Sequence, residues 1–498
     1  MNVNPITRLD YPDPDVIRVE DTYYMVSTTM HFMPGCEILQ SFDLVHWEHV
    51  TYVYETLDHT DAQQLKSGQN IYGQGMWAAS LRYHEGRFCI CFVANDTRKT
   101  YLYTSEKIDG PWKKQLIEGF YHDGSLLFDE DGRNYIVYGN DEIWITELNE
   151  DLTAPKKDGL HRLLVSDHKN PELGYEGSHI QKINGYYYIF LIHSLRDRWM
   201  RTEACFYSDS LEGEFTGGDV LCDDRGYCGQ GVAQGGIVDT PDGKWYAMLF
   251  QDSGAVGRIP ILLPVTWKDH FPFFGQNGHV PEEIEVHSTR PGYIYQPLVG
   301  SDDFCNGLLP RWQFNHDPDP RYYHLDALQG TYTITTREVC TELTQAVNTL
   351  TQRMSYPSCA AEVTVDASAL KEGDVAGLCA LQSCYAAVGI TKHHGTYEVL
   401  MLDNKEDSIL AMTEGTVVES HQMDFRLEAD FCNMKDEARC YYRVNKGDWL
   451  PIGTVHKLYF KLDHFTGCRF GLFCYAAEET GGSACFRDFK YYDVDEIS

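Results

Sequence analysis

Positive charge is what this sequence has least of for its length. Its 498 residues hold 41 Lys and Arg against 74 Asp and Glu, a formal net charge of −33. A surface of that sign has no electrostatic reason to dock on phosphate backbones or anionic lipid, so neither nucleic acid nor membrane is an expected partner. No apolar run approaches the length of a membrane span. Segments of helical period are scarce. The 16 cysteines include no CxxC pair, and there is no Walker loop and no HExxH motif. Structural zinc, a P-loop and zincin chemistry therefore have no support. Gly229-Gln230-Gly231 is glycine-rich but opens no helix. Met1-Asn2-Val3-Asn4-Pro5-Ile6 lacks the basic and apolar regions of an export signal. The expectation is a cytoplasmic protein whose scattered cysteines are reduced core residues.

What is present is a repeated unit. Its clearest copy, Gly174 to Phe190, runs from a polar and glycine-containing start into an alternating strand, an Asn184-Gly185 turn and an aromatic strand. Asn-Gly between alternating apolar runs is the strongest short-range hairpin signal. Four more copies centre on the turn pairs Glu20-Asp21, Glu85-Gly86, Asp131-Gly132 and Asp242-Gly243. The spacing, roughly 45 to 65 residues, suits four-stranded propeller blades with loops. A series of hairpins in a sandwich is the bland alternative, and five matched copies argue for radial repetition instead. The expectation is an all-β chain, with a five-bladed β-propeller over residues 1–295 and a second domain over 296–498.

Aligned on their turns, the copies place Asp13, Ala78, Asp123, Glu176 and Gln234 at one repeat position, seven or eight residues upstream. Innermost strands line a propeller's channel, so these side chains should ring one mouth of it. Each acid taken alone reads as a strand-start residue capping backbone N–H groups. Three acids at one repeat position read differently. Asp123 and Glu176, on neighbouring blades, cannot both ionise cheaply in a partly dry channel, so one pKa should rise. Asp13, facing them, stays ionised as a base. An acid and a base roughly 6.5–9.5 Å apart is the inverting-glycosidase arrangement.

Aromatic and polar residues near the first two slots, His31 and Phe32 in the loop after the first hairpin and Trp77, are candidate sugar contacts. For Trp77, core packing is an equal reading. Arg258, inside a strand pattern, needs an anionic or hydroxyl partner, which a carboxylate-lined channel offers. Beyond the composition shift near Ser288 to Asp303 the slot does not recur. Seven or more alternating strands there imply a jelly-roll-like β-sandwich that is structural or forms a rim for the site.

Several stretches resemble glycoside hydrolase family 43: Tyr11-Pro12-Asp13-Pro14-Asp15-Val16, His122-Asp123-Gly124-Ser125-Leu126, Tyr175-Glu176-Gly177-Ser178-His179, Gln234 to Pro241 and Gly257-Arg258-Ile259-Pro260. The second half is similar to the sandwich appended in its β-xylosidase and arabinofuranosidase branches, through Asn348 to Arg353 and Gly471 to Ala476. The resemblance implies a five-bladed propeller and inversion. It makes Asp13 the general base, Glu176 the general acid and Asp123 the group that raises and orients that acid. Arg258 and Gln234 would bind substrate with His31, Phe32 and Trp77. The implied activity is exo-release of pentose, β-D-xylose and also α-L-arabinose, from short xylan-derived oligosaccharides. An arabinofuranosidase or arabinan-degrading enzyme, a retaining glycosidase and a catalytically silent carbohydrate-binding propeller are the alternatives. Two departures stand out: Pro14-Asp15 replaces the usual Pro-Ser, and Gln234 stands where many members hold a His linked to channel calcium. No cofactor is required, and Ca2+ in the channel, any other metal and homo-oligomerisation are left open.

Overall fold

A computed structural model of the protein describes residues 2–404, 411–413 and 415–493. Among them there is no α-helix, only strands and four short 3-10 turns, so no helix is long and apolar enough to cross a membrane. Five four-stranded antiparallel sheets follow one another, each built from one continuous stretch of chain. Blade I covers residues 15–54, II 76–117, III 125–166, IV 176–221 and V 232–274. The innermost strands are Asp15–Val19, Met76–His84, Ser125–Phe128, Glu176–Ile183 and Val232–Asp239. Each packs against the next, and the fifth against the first, so the ring closes. The expected five-bladed propeller is the architecture observed. All five turn pairs join first to second strands, and Asn184 (φ 51°) with Gly185 (φ 85°) supplies the two left-handed residues a tight hairpin needs.

No blade borrows a strand from another, so the ring is tied by other means. Asn2–Val3 pairs with Glu283–Ile284. The Asn4 amide bonds both the N–H and the carbonyl of Leu262 in blade V. Arg18 of blade I holds Asp239 of blade V in an ion pair. Inside the channel, Arg82 of blade II donates to Asp15 (2.7 Å), Ser125 Oγ (2.8 Å), and the carbonyls of Leu126 and Ile180, joining four blades. This accounts for Asp15, the departure noted at Pro14-Asp15. Burial alone would raise its carboxyl, but Arg82 and His179 hold it below the usual range.

The second half is a two-sheet sandwich. One face is the seven-stranded sheet from Tyr323–Asp326 to Leu450–Lys457; the other is a nine-stranded sheet. Trp312, Tyr332, Phe425, Phe470 and Phe486 fill the core between them. The nine-stranded sheet includes Phe32–Met33, a two-residue strand from the blade I loop that pairs with Gln313–Asn315. The two domains therefore share a sheet. Their contact also buries an ion pair, Arg353 with Glu37 (2.8 Å). Removing one partner of such a pair costs about 3–5 kcal/mol.

The same contact buries three imidazoles. His31 from blade I lies 4.8 Å (ring centroids) from His316, and Tyr72 stacks on His464 at 3.9 Å. Desolvation holds His31 and His316 well below the ordinary histidine range and pulls His464 down to about 3. Below pH 6.5 the unfolded chain protonates these side chains and the folded one does not, so stability falls as pH falls. Each imidazole kept neutral costs about 1.4 kcal/mol per pH unit in that window. The expected outcome is that His31→Phe loses less thermal stability than the parent between pH 6.5 and 5. Comparing the two proteins cancels carboxylates titrating over the same range, and parallel melting curves would remove His31 from the account.

Candidate active site

Three inner strands begin with the same irregularity. In blade II, Ala78 and Ala79 lie opposite one partner residue; in blade IV, Gly177 and Ser178 do; in blade V, Gln234 and Gly235 do. These are β-bulges, which re-aim side chains at strand starts. Asp13 and Asp123 occupy the matching positions of blades I and III, two residues before Asp15 and Ser125. Asp13 (φ 53°), Asp123 (φ 49°), Gly177 (φ 66°) and Gln234 (φ 60°) are all left-handed. Asp13, Ala78, Asp123, Gly177 and Gln234 line one small cavity at the channel mouth.

The ring anticipated from sequence exists, with one correction: its blade IV member is Gly177, and Glu176 stands one residue earlier. The physical reason is turn length: the two-residue turns of blades I, II and IV set the slot seven residues back and the longer connections of blades III and V set it eight back, so Glu176, eight back from a two-residue turn, falls one residue before the ring. Asp13 and Asp123 are 6% exposed, whereas the Glu176 side chain is 21% exposed. A Cβ at Gly177 would stand 2.8 Å from Gln234 Cγ, so glycine is required there on two counts. The Gly177 N–H donates to Asp123 Oδ2 at 2.9 Å, tying the third blade's acid to the fourth blade's bulge.

The acids differ in their surroundings. Asp13 accepts from Thr28 Oγ1 (2.6 Å) and Arg258 Nη1 (3.0 Å), with the Arg258 side chain 3% exposed. Burial pushes the Asp123 carboxyl up to about 6, with His122 opposing and Glu176 and Asp13 adding to the rise. Glu176 Oε2 accepts from Asn140 Nδ2 at 2.6 Å. His122 Nε2 lies 3.6 Å from both Asp123 and Glu176. The charge of Asp123, against the cost of burial and with help from Glu176 and Asp13, raises its imidazole to about 9. At neutral pH the His122 imidazolium thus offsets one of two adjacent carboxylates.

The sandwich reaches into this site. Phe465, from the loop after Leu450–Lys457, covers the Arg258 guanidinium at 4.2 Å and contacts Trp77 at 5.5 Å. Asp10 fixes both partners: one oxygen accepts from the Arg258 N–H (2.7 Å), the other from the Gly467 N–H (2.8 Å). Of the sequence candidates, Asp13, Asp123, Glu176, Trp77, Gln234 and Arg258 come together. His31 and Phe32 do not. They are 0% and 1% exposed, packed among His316, Tyr72 and Arg469 in the domain contact, and offer no surface to a sugar. Their loop pairs with the sandwich, a long-range contact without local sequence signal. His122, Asn140, Asp10 and Phe465 were not anticipated; only His122, adjoining Asp123, had a signal that could have found it.

The donors at the ring fall short of a full Ca2+ shell by themselves. Asp13 is paired with Arg258 and one Asp123 oxygen accepts from the Gly177 N–H, leaving the Gln234 amide, the His179 imidazole and the Ser178 hydroxyl, whose Oγ has no partner. Hard cations take six to eight oxygens, carboxylates among them. At the rim, His122, Asp123 and Glu176 each offer one ligand atom, all within 4.8 Å of one another.

Carboxylates in differing environments at a propeller mouth are an arrangement that glycoside hydrolysis can use. Residues 3–272 match the model of glycosyl hydrolases family 43, and residues 301–492 match the β-xylosidase C-terminal concanavalin A-like domain. The chain belongs to glycosyl hydrolases family 43. A solved bifunctional GH43-CE protein of Bacteroides eggerthii is 42% identical over all of this chain, with a TM-score of 0.93; this chain spans 64% of its length. A β-xylosidase of Formosa agariphila is 26% identical, covering 99% of this chain and 89% of its own. A GH43 enzyme engineered to display both endo-xylanase and exo-arabinofuranosidase activity is 26% identical, with 99% of each chain covered and a TM-score of 0.87.

Gly177→Ala tests the geometry of the ring. The left-handed backbone and the clash with Gln234 should lower stability by about 1–3 kcal/mol and reduce turnover by loosening Asp123. Thermal melts and kcat on a nitrophenyl pentoside measure both. Gln234→Ala in the same chain should restore part of the stability, because the two side chains compete for one space.

Proposed function

We propose that this protein is an inverting exo-glycosidase that releases β-D-xylose, and also α-L-arabinose, from the non-reducing ends of short xylan-derived oligosaccharides. The observation that carries the reading is that two differently held carboxylates, Asp13 deep and Glu176 partly exposed, both act on His122 at one channel mouth. Asp13, deep and ion-paired to Arg258, is the base that activates water. Glu176, higher and partly exposed, is the acid that protonates the leaving oxygen. Asp123 and His122 adjoin Glu176 and set the charge around it. Trp77 of blade II and Phe465 of the sandwich meet at 5.5 Å beside the mouth, and we read that contact as closing one side of it, which favours a chain end over a through-running polymer. Arg258, capped by Phe465, is paired with the base Asp13. The relatives described as β-xylosidase and as exo-arabinofuranosidase support this substrate class. The sixteen free thiols suit a reducing, cytoplasmic setting and small imported substrates.

Glu176→Gln should lower kcat/KM on xylobiose by about 10²–10⁴-fold. It should spare much of the activity on nitrophenyl xyloside, whose leaving group needs no proton. Asp13→Asn should lose both. Proton NMR of the first product formed from a β-xyloside should show the α-anomer. Retained configuration, or full xylobiose turnover by Glu176→Gln, would overturn the assignment. Parallel assay of nitrophenyl β-D-xyloside and α-L-arabinofuranoside ranks the two sugars.

A further inference from the structure

The leaving group must pass within hydrogen-bonding reach of Glu176, so it leaves over the rim of blade IV. That rim is the segment between the second and third strands of the blade, residues 195–200. Glu176 pairs with Ile192 on the second strand, and the ladder continues two residues to Ser194, paired with Arg201. The segment is held in one shape. Ser194 Oγ accepts from the Met200 N–H (2.8 Å) and donates to the Arg198 carbonyl (3.3 Å), and the Leu195 N–H donates to the Met200 carbonyl (3.1 Å).

This fixed rim carries Arg196, Arg198 and Arg201 around Trp199, in a chain where acidic residues outnumber Lys and Arg by 74 to 41. Arg201 and Arg196 are committed to Asp252 and Asp167. Arg198 is not. Its side chain is 59% exposed, and its one acidic contact is the adjacent Asp197, itself 73% exposed, at 3.1 Å. A pair that open contributes little in water, so an incoming carboxylate can replace Asp197. Trp199 is 44% exposed and lies against Arg201, whose guanidinium carbon is 5.5 Å from its ring. Arg201 in turn packs on Phe250, and Phe250 on Arg258. The rim is thus continuous with the arginine paired with Asp13: an indole for a pyranose face beside a guanidinium for an acid group.

We infer that the leaving-group side of the pocket is built for an acidic oligosaccharide, a xylo-oligosaccharide whose second sugar bears a uronic acid, with Trp199 stacking on the sugar and Arg198 binding the carboxylate. The inference rests on the assignment of Glu176 as the acid, and its test separates the two.

The experiment compares kcat/KM for neutral xylotriose and for xylotriose with glucuronic acid on the second xylose, using the full chain and the Arg198→Gln variant. The parent should favour the acidic substrate by roughly fivefold, the scale of one exposed ion pair, and the preference should shrink as NaCl is raised. Arg198→Gln should bring the ratio to about one, its loss falling on the acidic substrate. Hydrolysis of neutral xylotriose with no preference for the acidic one overturns this inference and leaves the glycosidase reading standing. An equal effect of Arg198→Gln on both substrates also overturns it. Failure to release xylose from either substrate removes the reading beneath it.

Discussion

One buried ion pair, Arg258 with Asp13, is the contact on which the rest of this structure depends. A buried charged group needs a partner beside it, and the partner of Asp13 comes from the opposite end of the propeller sequence. Asp13 begins blade I and Arg258 opens the third strand of blade V, so the pair forms only when the ring has closed. Asp10 then fixes the Arg258 backbone to Gly467 of the sandwich, and Phe465 covers the guanidinium. Ring closure and domain docking therefore meet at one contact. The sandwich is part of the site because the arginine paired with Asp13 is capped by it.

Charge elsewhere in the channel follows the same logic. Two acids stand in the inner ring and Asp15 just below it, and each has its own counterpart: Asp13 has Arg258, Asp15 has Arg82 and His179, and Asp123 has the His122 imidazolium and the Gly177 N–H. Glu176 stands above the ring, accepting from Asn140 and sharing the His122 imidazolium with Asp123. An acid on the rim can approach a leaving oxygen, and a base in the depth can hold a water, so the vertical offset between them has chemical use. It comes from Glu176 preceding the slot residue Gly177 on its strand.

The propeller was legible because its signals are local. Turn pairs such as Asn184-Gly185 and the alternation after them state their hairpins within about fifteen residues, and repetition turns five weak signals into one strong one. The three acids were legible for the same reason. Counting back from the turns reached the slot within one residue, and missed at Glu176 because a two-residue turn sets the slot seven residues back rather than eight. What could not be read was whatever depends on the meeting of distant segments. His31 and Phe32 look like a sugar-binding loop until Phe32–Met33 pairs with Gln313–Asn315 and buries them. Asp10, Asn140 and Phe465 have no unusual neighbours in sequence and acquire their roles only from what the fold lays beside them.

The most direct test is a crystal structure of Glu176→Gln with xylobiose bound. The account predicts the terminal xylose in the mouth, its anomeric carbon between Asp13 and the side chain at position 176. The glycosidic oxygen should be within hydrogen-bond distance of the amide that the substitution introduces, a water on Asp13 should face the anomeric carbon, and Arg258 should contact the ring hydroxyls. A sugar bound elsewhere, or one whose anomeric carbon Asp13 cannot reach through a single water, would contradict it.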